Sequence, residues 1–446
     1  MVYDERALTM QDSTRYPRTL LLGAGFSFDF GMPLSFELTE LFLDPFTKSA
    51  TRGLAKNLAA NDPFAAGRPI NRAAIDEALG LVLEFKRDGG SNYEDLLTQV
   101  QDLGDSGGKS QSDRDTYHYV FHVLYDLVYA ILYAYQLEAF KLFKLNQPYF
   151  GALRNLLSDV PTWAFSLNHD LMLESLAIDE GIPISYGDTG TVSFPISNLN
   201  PADTISLTTS RSEELLVAGS GWIHEGTGLN LVRLHGGLAE LEYRDGSLLC
   251  NPSLKWDDSV GLLNELTRID SMGYFRGGKK APGGKARCIT GPDGTLDIIV
   301  QTMKTGGRKY SKTTNAKKGE EKLQLFNDVL QKSDELLIIG YGLGDKHIND
   351  RISNAMVLNP ELKIRTVDPK GVRCPPFLEQ FDYDSRVRSA YCRAAEWLHY
   401  VPQNEWNREV SKVLKEREKL RERIKDHVRK SWLEFDIARR KGLPAR

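Results

Sequence analysis

The chain has 446 residues, 41% of them hydrophobic and 26% charged, a globular composition with length for a large core. Lys and Arg (56) nearly balance Asp and Glu (60), and the net charge of −4 excludes a global pull toward nucleic acid, so such binding needs a local patch. Cys250, Cys288, Cys374 and Cys392 stand far apart with no C-x-x-C pair, which argues against a zinc ribbon and for reduced, partly buried thiols.

Residues 1–16 are polar, carry acids and lack the apolar core of a signal peptide. They read as a flexible N-terminus, and the chain as cytoplasmic. Thr19 to Leu22 then reads as a buried strand. Gly23-Ala24-Gly25 follows at once, and Phe26-Ser27 opens a helical pattern. Strand, glycine turn and helix together suit a nucleotide phosphate: glycines admit close backbone approach, and N–H groups at a helix start point at an anion. The spacing is not G-x-G-x-x-G, and a strand-to-helix turn also uses glycine for sterics alone. A helix begins near Ser27 or Ser35. From about residue 47 to 150 the apolar spacing is helical, which predicts a large insertion between the first two strands. Tyr125, Tyr129 and Tyr133 read as core or as a subunit contact. The longest apolar stretch, Val120 to Tyr135, is interrupted by His122 and Asp126 and is too short to span a bilayer.

Further strands are predicted at 162–167, 231–234, 335–339 and 363–367. Asn168 and Asp170 follow the first of these and His235-Gly236-Gly237 the second. Gly340, Gly342 and Asp345 follow the third, and Asp368 the fourth. Between them, 182–230 is mixed, with 197–212 read as a loop. Residues 239–320 read as a loop-rich basic region with lysine runs at 277–285 and 304–318. Such runs are usually solvated; phosphate or nucleic-acid contact is the alternative. Residues 401–446 form a charged amphipathic segment with Val410, Leu414, Leu420, Ile424, Val428 and Trp432 at helical spacing. In an open α/β sheet, polar residues just past the strands mark the carboxyl edge where ligands bind. The expected fold is therefore α/β: a Rossmann-like, mostly parallel sheet with a large helical insertion and a C-terminal helical extension.

As a set and in this order, LLLGAGFSFDFGMP, FSLNHD, VRLHGGL and LLIIGYGLGDKHIND resemble the sirtuin family. They look closest to its bacterial sirtuin-like branch, in patches from about residue 17 to 370. The chain lacks the four-cysteine ribbon of deacylating sirtuins, and Leu34-Ser35-Phe36 stands where they carry Asp-Phe-Arg. The resemblance implies an NAD site. Gly23, Ala24, Gly25, Phe26 and Ser27 would hold the pyrophosphate, and Gly340, Gly342, Asp345 and Asp368 the adenosine half. Asn168 would stand at the ribose, Asp170 at the carboxamide, and His235 would be the catalytic base. It implies an NAD hydrolase without a metal, acting in phage defence by depleting NAD. Such enzymes are held off until triggered by a partner ATPase, an Argonaute-type protein or self-assembly into homo-oligomers. Alternatives are an NAD-dependent deacylase or ADP-ribosyltransferase, and a non-catalytic nucleotide sensor or nucleic-acid-binding subunit of a defence complex.

Overall fold

The structure is a computed structural model that describes residues 15–60, 70–281, 284–304, 320–383 and 385–440, the side chains of Ser212 and 432–440 apart. The expected flexible N-terminus up to residue 14 and the basic run from 305 to 319, with Lys317 and Lys318, lie outside these residues.

Strand β1 (Thr19–Leu22) leads through the glycine turn into a short helix α1 (Ala24–Phe28). Helices α2 (Ser35–Leu43), α3 (Lys48–Ala60), α4 (Arg72–Arg87), α5 (Tyr93–Asp105) and α6 (Gln111–Asn146) follow. The chain returns to the sheet as β2 (Thr162–Ser166), and α7 (Met172–Asp179) leads to β3 (Ile184–Ser185). Next come β4 (Gly190–Ser197), β5 (Asn200–Ser210), β6 (Leu229–Arg233), β7 (Leu241–Tyr243), β8 (Leu249–Asn251) and α8 (Ser259–Ser271). Short strands β9 (Phe275–Arg276) and β10 (Lys279–Lys280) precede β11 (Ala286–Thr290) and β12 (Leu296–Gln301). The chain ends α9 (Glu321–Gln331), β13 (Glu335–Ile339), α10 (Lys346–Leu358), β14 (Lys363–Val367), β15 (Val387–Ala390), α11 (Ala394–Gln403) and α12 (Arg408–Arg440).

Seven strands form one parallel sheet in the order β15-β14-β13-β1-β2-β6-β3. This is a Rossmann-like α/β fold, with β1 at the centre and the chain winding outward first to one side and then to the other. Both faces are covered, which is why the strands read as continuous apolar runs. Leu20 and Leu22 point into a core shared with the inserted helices, and Leu21 into a second core under α9 and α10. The α6 helix lies in the first core, packed against α2, α4, α5 and α12. With the turn after it, 111–149, it is long and apolar enough to cross a membrane, but 67% of that apolar window is buried inside the fold. Tyr125 donates to Met303 O (3.1 Å) and Tyr129 to Asp270 (3.1 Å), so these tyrosines serve the core of this chain.

Two expectations need correction. The run 197–212, read as a loop, is mostly β5, paired antiparallel with β4 and β8. Thr204 and Ser206 face solvent while Ile205 and Leu207 are buried, a period-two pattern masked by the polar count. The region 239–320, read as loop-rich, contributes β7, β8, β11 and β12 to a six-stranded sheet of order β11-β12-β7-β8-β5-β4, with α8 beside it. Antiparallel strands of three to six residues joined by tight turns leave too short a pattern to read.

Candidate functional site

The site forms where β1 and β13 lie side by side, the point at which the winding reverses. Their following turns interlock by backbone. Gly25 N donates to Gly340 O (2.9 Å), and Gly23 N to Ile339 O (3.0 Å). A Cβ on Gly23 would meet Gly340 O at 2.6 Å, and one on Gly340, at φ +65°, would meet Phe26 N at 2.3 Å. These glycines are therefore fixed by turn-to-turn packing. The N–H groups of Gly23, Gly25 and Phe26 all donate to carbonyls, Phe26 to Gly23 O (2.9 Å), which narrows the anion cradle expected from them. Phe26 itself packs edge-on to Phe30 and Phe150 and is a core residue.

The strand β2 ends in the Asn168–Asp170 loop. Asn168 Nδ2 donates to Gly23 O (2.9 Å) and to Ser27 Oγ (3.1 Å), and Ser27 Oγ donates to Asp170 Oδ1 (3.0 Å). Ser27, expected at a phosphate, is instead a buried clip between the two side chains, because the loop brings both within reach of its hydroxyl. Asp170 Oδ1 also accepts from Met172 N (3.0 Å), and Gln136 of α6 accepts from Leu171 N (2.9 Å), so the insertion helps shape the loop. Arg233, in the strand before His235, donates to Asp170 O (2.8 Å) and to the Glu174 carboxylate, which Tyr186 OH also meets (3.0 Å). Burial works against charge on Arg233, and Glu174, Tyr186, Glu240 and Asp170 together outweigh it. Burial pushes the carboxyls of Asp170 and Glu174 up from their ordinary values.

His235 is buried at the end of β6, its Nε2 3.0 Å from Asp345 Oδ2. Asp345 Oδ1 meanwhile caps α10, accepting from His347 N (2.9 Å) and Ile348 N (3.3 Å). The 340–345 loop is braced by Tyr341, whose OH donates to Asp345 O (3.0 Å) and accepts from Asp345 N (2.9 Å). Leu343 is held at φ +58° while Asn349 donates to its carbonyl (2.7 Å), a local strain that stabilising contacts must offset. Asp368 accepts from Lys370 N (2.7 Å) at the end of β14.

Gly23, Ala24, Gly25, Asn168, Asp170, His235, Gly340, Gly342, Asp345 and Asp368 all line one cleft of about 1420 Å³. Of the expected site residues, Phe26 and Ser27 do not line it. His169 also faces the cleft, its Nδ1 3.3 Å from Gly236 O. The cleft extends past Phe36, Tyr93 and Glu94 to Arg393 and Arg421 near the C-terminal helix. The fold and this cleft define an open α/β protein with its pocket at the switch point. No protein-family model matches the chain, and no curated protein sequence does either. Among the described residues, no group of three or more His, Cys, Asp or Glu is placed to hold a metal ion.

Sequence reasoning missed the supports. Arg233 and Glu174 carried a signal, a charge inside an otherwise apolar run (LNLVRL and MLESLAI), since such a charge is buried only with a partner. Arg393 and Arg421 carried none, because only the tertiary fold brings them to the cleft.

Proposed function

We propose that this protein hydrolyses NAD at the bond between nicotinamide and ribose, giving nicotinamide and ADP-ribose. The observation that carries this reading is the convergence of Asn168, Asp170 and His235 on one cleft that starts at the interlocked glycine turns. The bond joins C1′ to a pyridinium nitrogen, so its electron pair leaves with neutral nicotinamide and C1′ passes through an oxocarbenium-like state. Water oxygen then bonds to C1′, and its proton is released. An imidazole is the side chain suited to take that proton near neutral pH, which is the role of His235. The amide nitrogen of Asn168 is turned to Gly23 and Ser27, which leaves its oxygen to orient the water or a ribose hydroxyl. Asp170 would accept from the nicotinamide carboxamide. A role in phage defence, with NAD depletion released by a partner ATPase, an Argonaute-type protein or self-assembly, extends this reading by family analogy alone.

The test is NAD consumption by the purified chain, alone and with candidate activators, beside His235→Ala and Asn168→Ala. We expect nicotinamide and ADP-ribose from the unaltered protein, and at least a hundredfold loss in each variant. Unchanged turnover in both variants would overturn the site. Saturable NAD binding with no turnover under any condition would instead favour a nucleotide sensor, and O-acetyl-ADP-ribose formed from an acetylated peptide a deacylase.

A further inference from the structure

His235 and Asp345 belong to opposite halves of the parallel sheet. His235 follows β6 and Asp345 follows β13, with β1 and β2 between them, so their hydrogen bond spans the crevice at its floor. We infer that Asp345 is a positioning residue that holds His235 in the Nε2–H tautomer, which makes Nδ1 the atom that accepts a proton. The identity of that proton rests on the NAD-cleavage reading; the tautomer does not.

A carboxylate only accepts hydrogen bonds, so the 3.0 Å contact requires the hydrogen on His235 Nε2. The neutral ring then carries its lone pair on Nδ1. The carboxylate cannot easily turn away. Its Oδ1 is committed to two N–H groups of α10, and the hydroxyl of Tyr341 bonds Asp345 through both its N–H and its carbonyl. The histidine is fixed from the other side. Its carbonyl accepts from Lys304 N (2.8 Å), and Gly236, at φ +69°, sits where a Cβ would meet Thr302 O at 2.2 Å. Both members are thus held by rigid neighbours, the condition under which an orienting acid sets a histidine's tautomer. The role differs from adenosine contact, the part that the family resemblance gives to Asp345, because the carboxylate oxygens already face the helix start and the imidazole.

Asp345→Asn separates the two roles. Asparagine caps a helix about as well as aspartate, and its oxygen must stay on the α10 N–H groups to do so. Its NH₂ then faces His235 Nε2 and forces the hydrogen to Nδ1. The experiment records ring ¹⁵N shifts of histidine-labelled full-length protein, with His235→Gln to assign the signal, and alongside it NAD affinity by calorimetry and NAD cleavage. We expect the Nε2–H pattern in the unaltered protein and the Nδ1–H pattern in Asp345→Asn. NAD affinity should stay within about twofold, while cleavage falls by roughly 10²- to 10⁴-fold. An unchanged tautomer, or an NAD affinity weakened tenfold or more, would overturn the assignment. If the unaltered protein neither binds nor cleaves NAD, the proposed function fails, and the ring shifts alone decide the role of Asp345.

Discussion

Gly340 carries two constraints that can be separated by substitution. Its φ of +65° disfavours any side chain, and a Cβ would drive into the backbone of Gly25 and Phe26. Gly340→Ala should therefore cost more than about 3 kcal/mol or prevent folding. Gly342→Ala, where a Cβ meets nothing within 4 Å, should stay within about 1 kcal/mol; denaturant midpoints of the two variants check this. Asp29 poses a different residue-scale problem. Burial pushes its carboxyl up to about 6, against the pull of Arg393 3.2 Å away, and its buried Oδ2 has no partner among the described residues. The unfolded chain releases this proton first as pH rises, so the native state loses stability from pH about 4 to about 6 and carries the cost above that. Asp29→Asn should remove that slope and gain roughly 1–3 kcal/mol on the unaltered protein between pH 4.5 and 7.5. Thermal melts across that range decide it, and a constant difference between the two proteins would contradict the assignment. The strand-end residues Asn168, Asp170 and His235 were legible in the sequence because the end of a buried strand in an α/β sheet has a fixed place in space. The direction of the Ser27 hydroxyl was not, since it depends on a loop far along the chain, with Asp170 143 positions away.

Among the elements, α12 is the one whose packing the sequence left undecided between this chain and another subunit. It lies along α2 of its own chain, running in the same direction. Arg421 pairs with Glu37, Lys425 with Glu40 (2.9 Å), and Arg429 with Asp44 (2.9 Å). Basic residues four apart meet acids three and four apart, a spacing that puts each set on one helix face. Of the expected apolar stripe, Val410, Leu414 and Val428 are buried and Leu420 and Ile424 half-buried, while the side chain of Trp432 lies outside the described ones; the basic stripe beside it was readable only with α2 as its mate. Arg421 also donates to Met32 O (3.0 Å) and lies over the Phe28 ring at 3.8 Å, which ties the cleft-lining segment 28–37 to the far end of the chain. Burial raises the Glu37 carboxyl, but Arg421 outweighs it and holds the group below its ordinary value. Arg421→Met should cost about 3–5 kcal/mol by stranding Glu37, and Glu37→Met with Arg421→Met should recover much of it. A double variant as unstable as the single one in denaturant titration would show that the pair matters for more than its charge. Elsewhere, α4 was legible from its helical period and β13 from its unbroken apolar run, and the shortest strands of the antiparallel sheet, β7 and β8, were not, because three residues define no period.

At the scale of the molecule, the alternation of apolar strands with helical stretches placed the parallel sheet correctly. What it left out was the second sheet and the path by which α6 and α12 close over the first core. The interlocked turns also have a consequence for synthesis. Gly25 receives its partner only when Gly340 arrives, and Arg18 and Glu335, whose side chains pair at 2.7 Å, are 317 residues apart. Such contacts give a high contact order and slow folding. A ribosome adding roughly 5–20 residues per second would expose the first glycine turn on the order of 15–60 s before its mate emerges. Until then the central strand β1 has one flank without a neighbour, and the pocket has no second wall. A chain truncated before residue 335 should thus emerge with an open sheet edge prone to association, while the cleft and any activity in it come into being only once β13 and its following turn have been made.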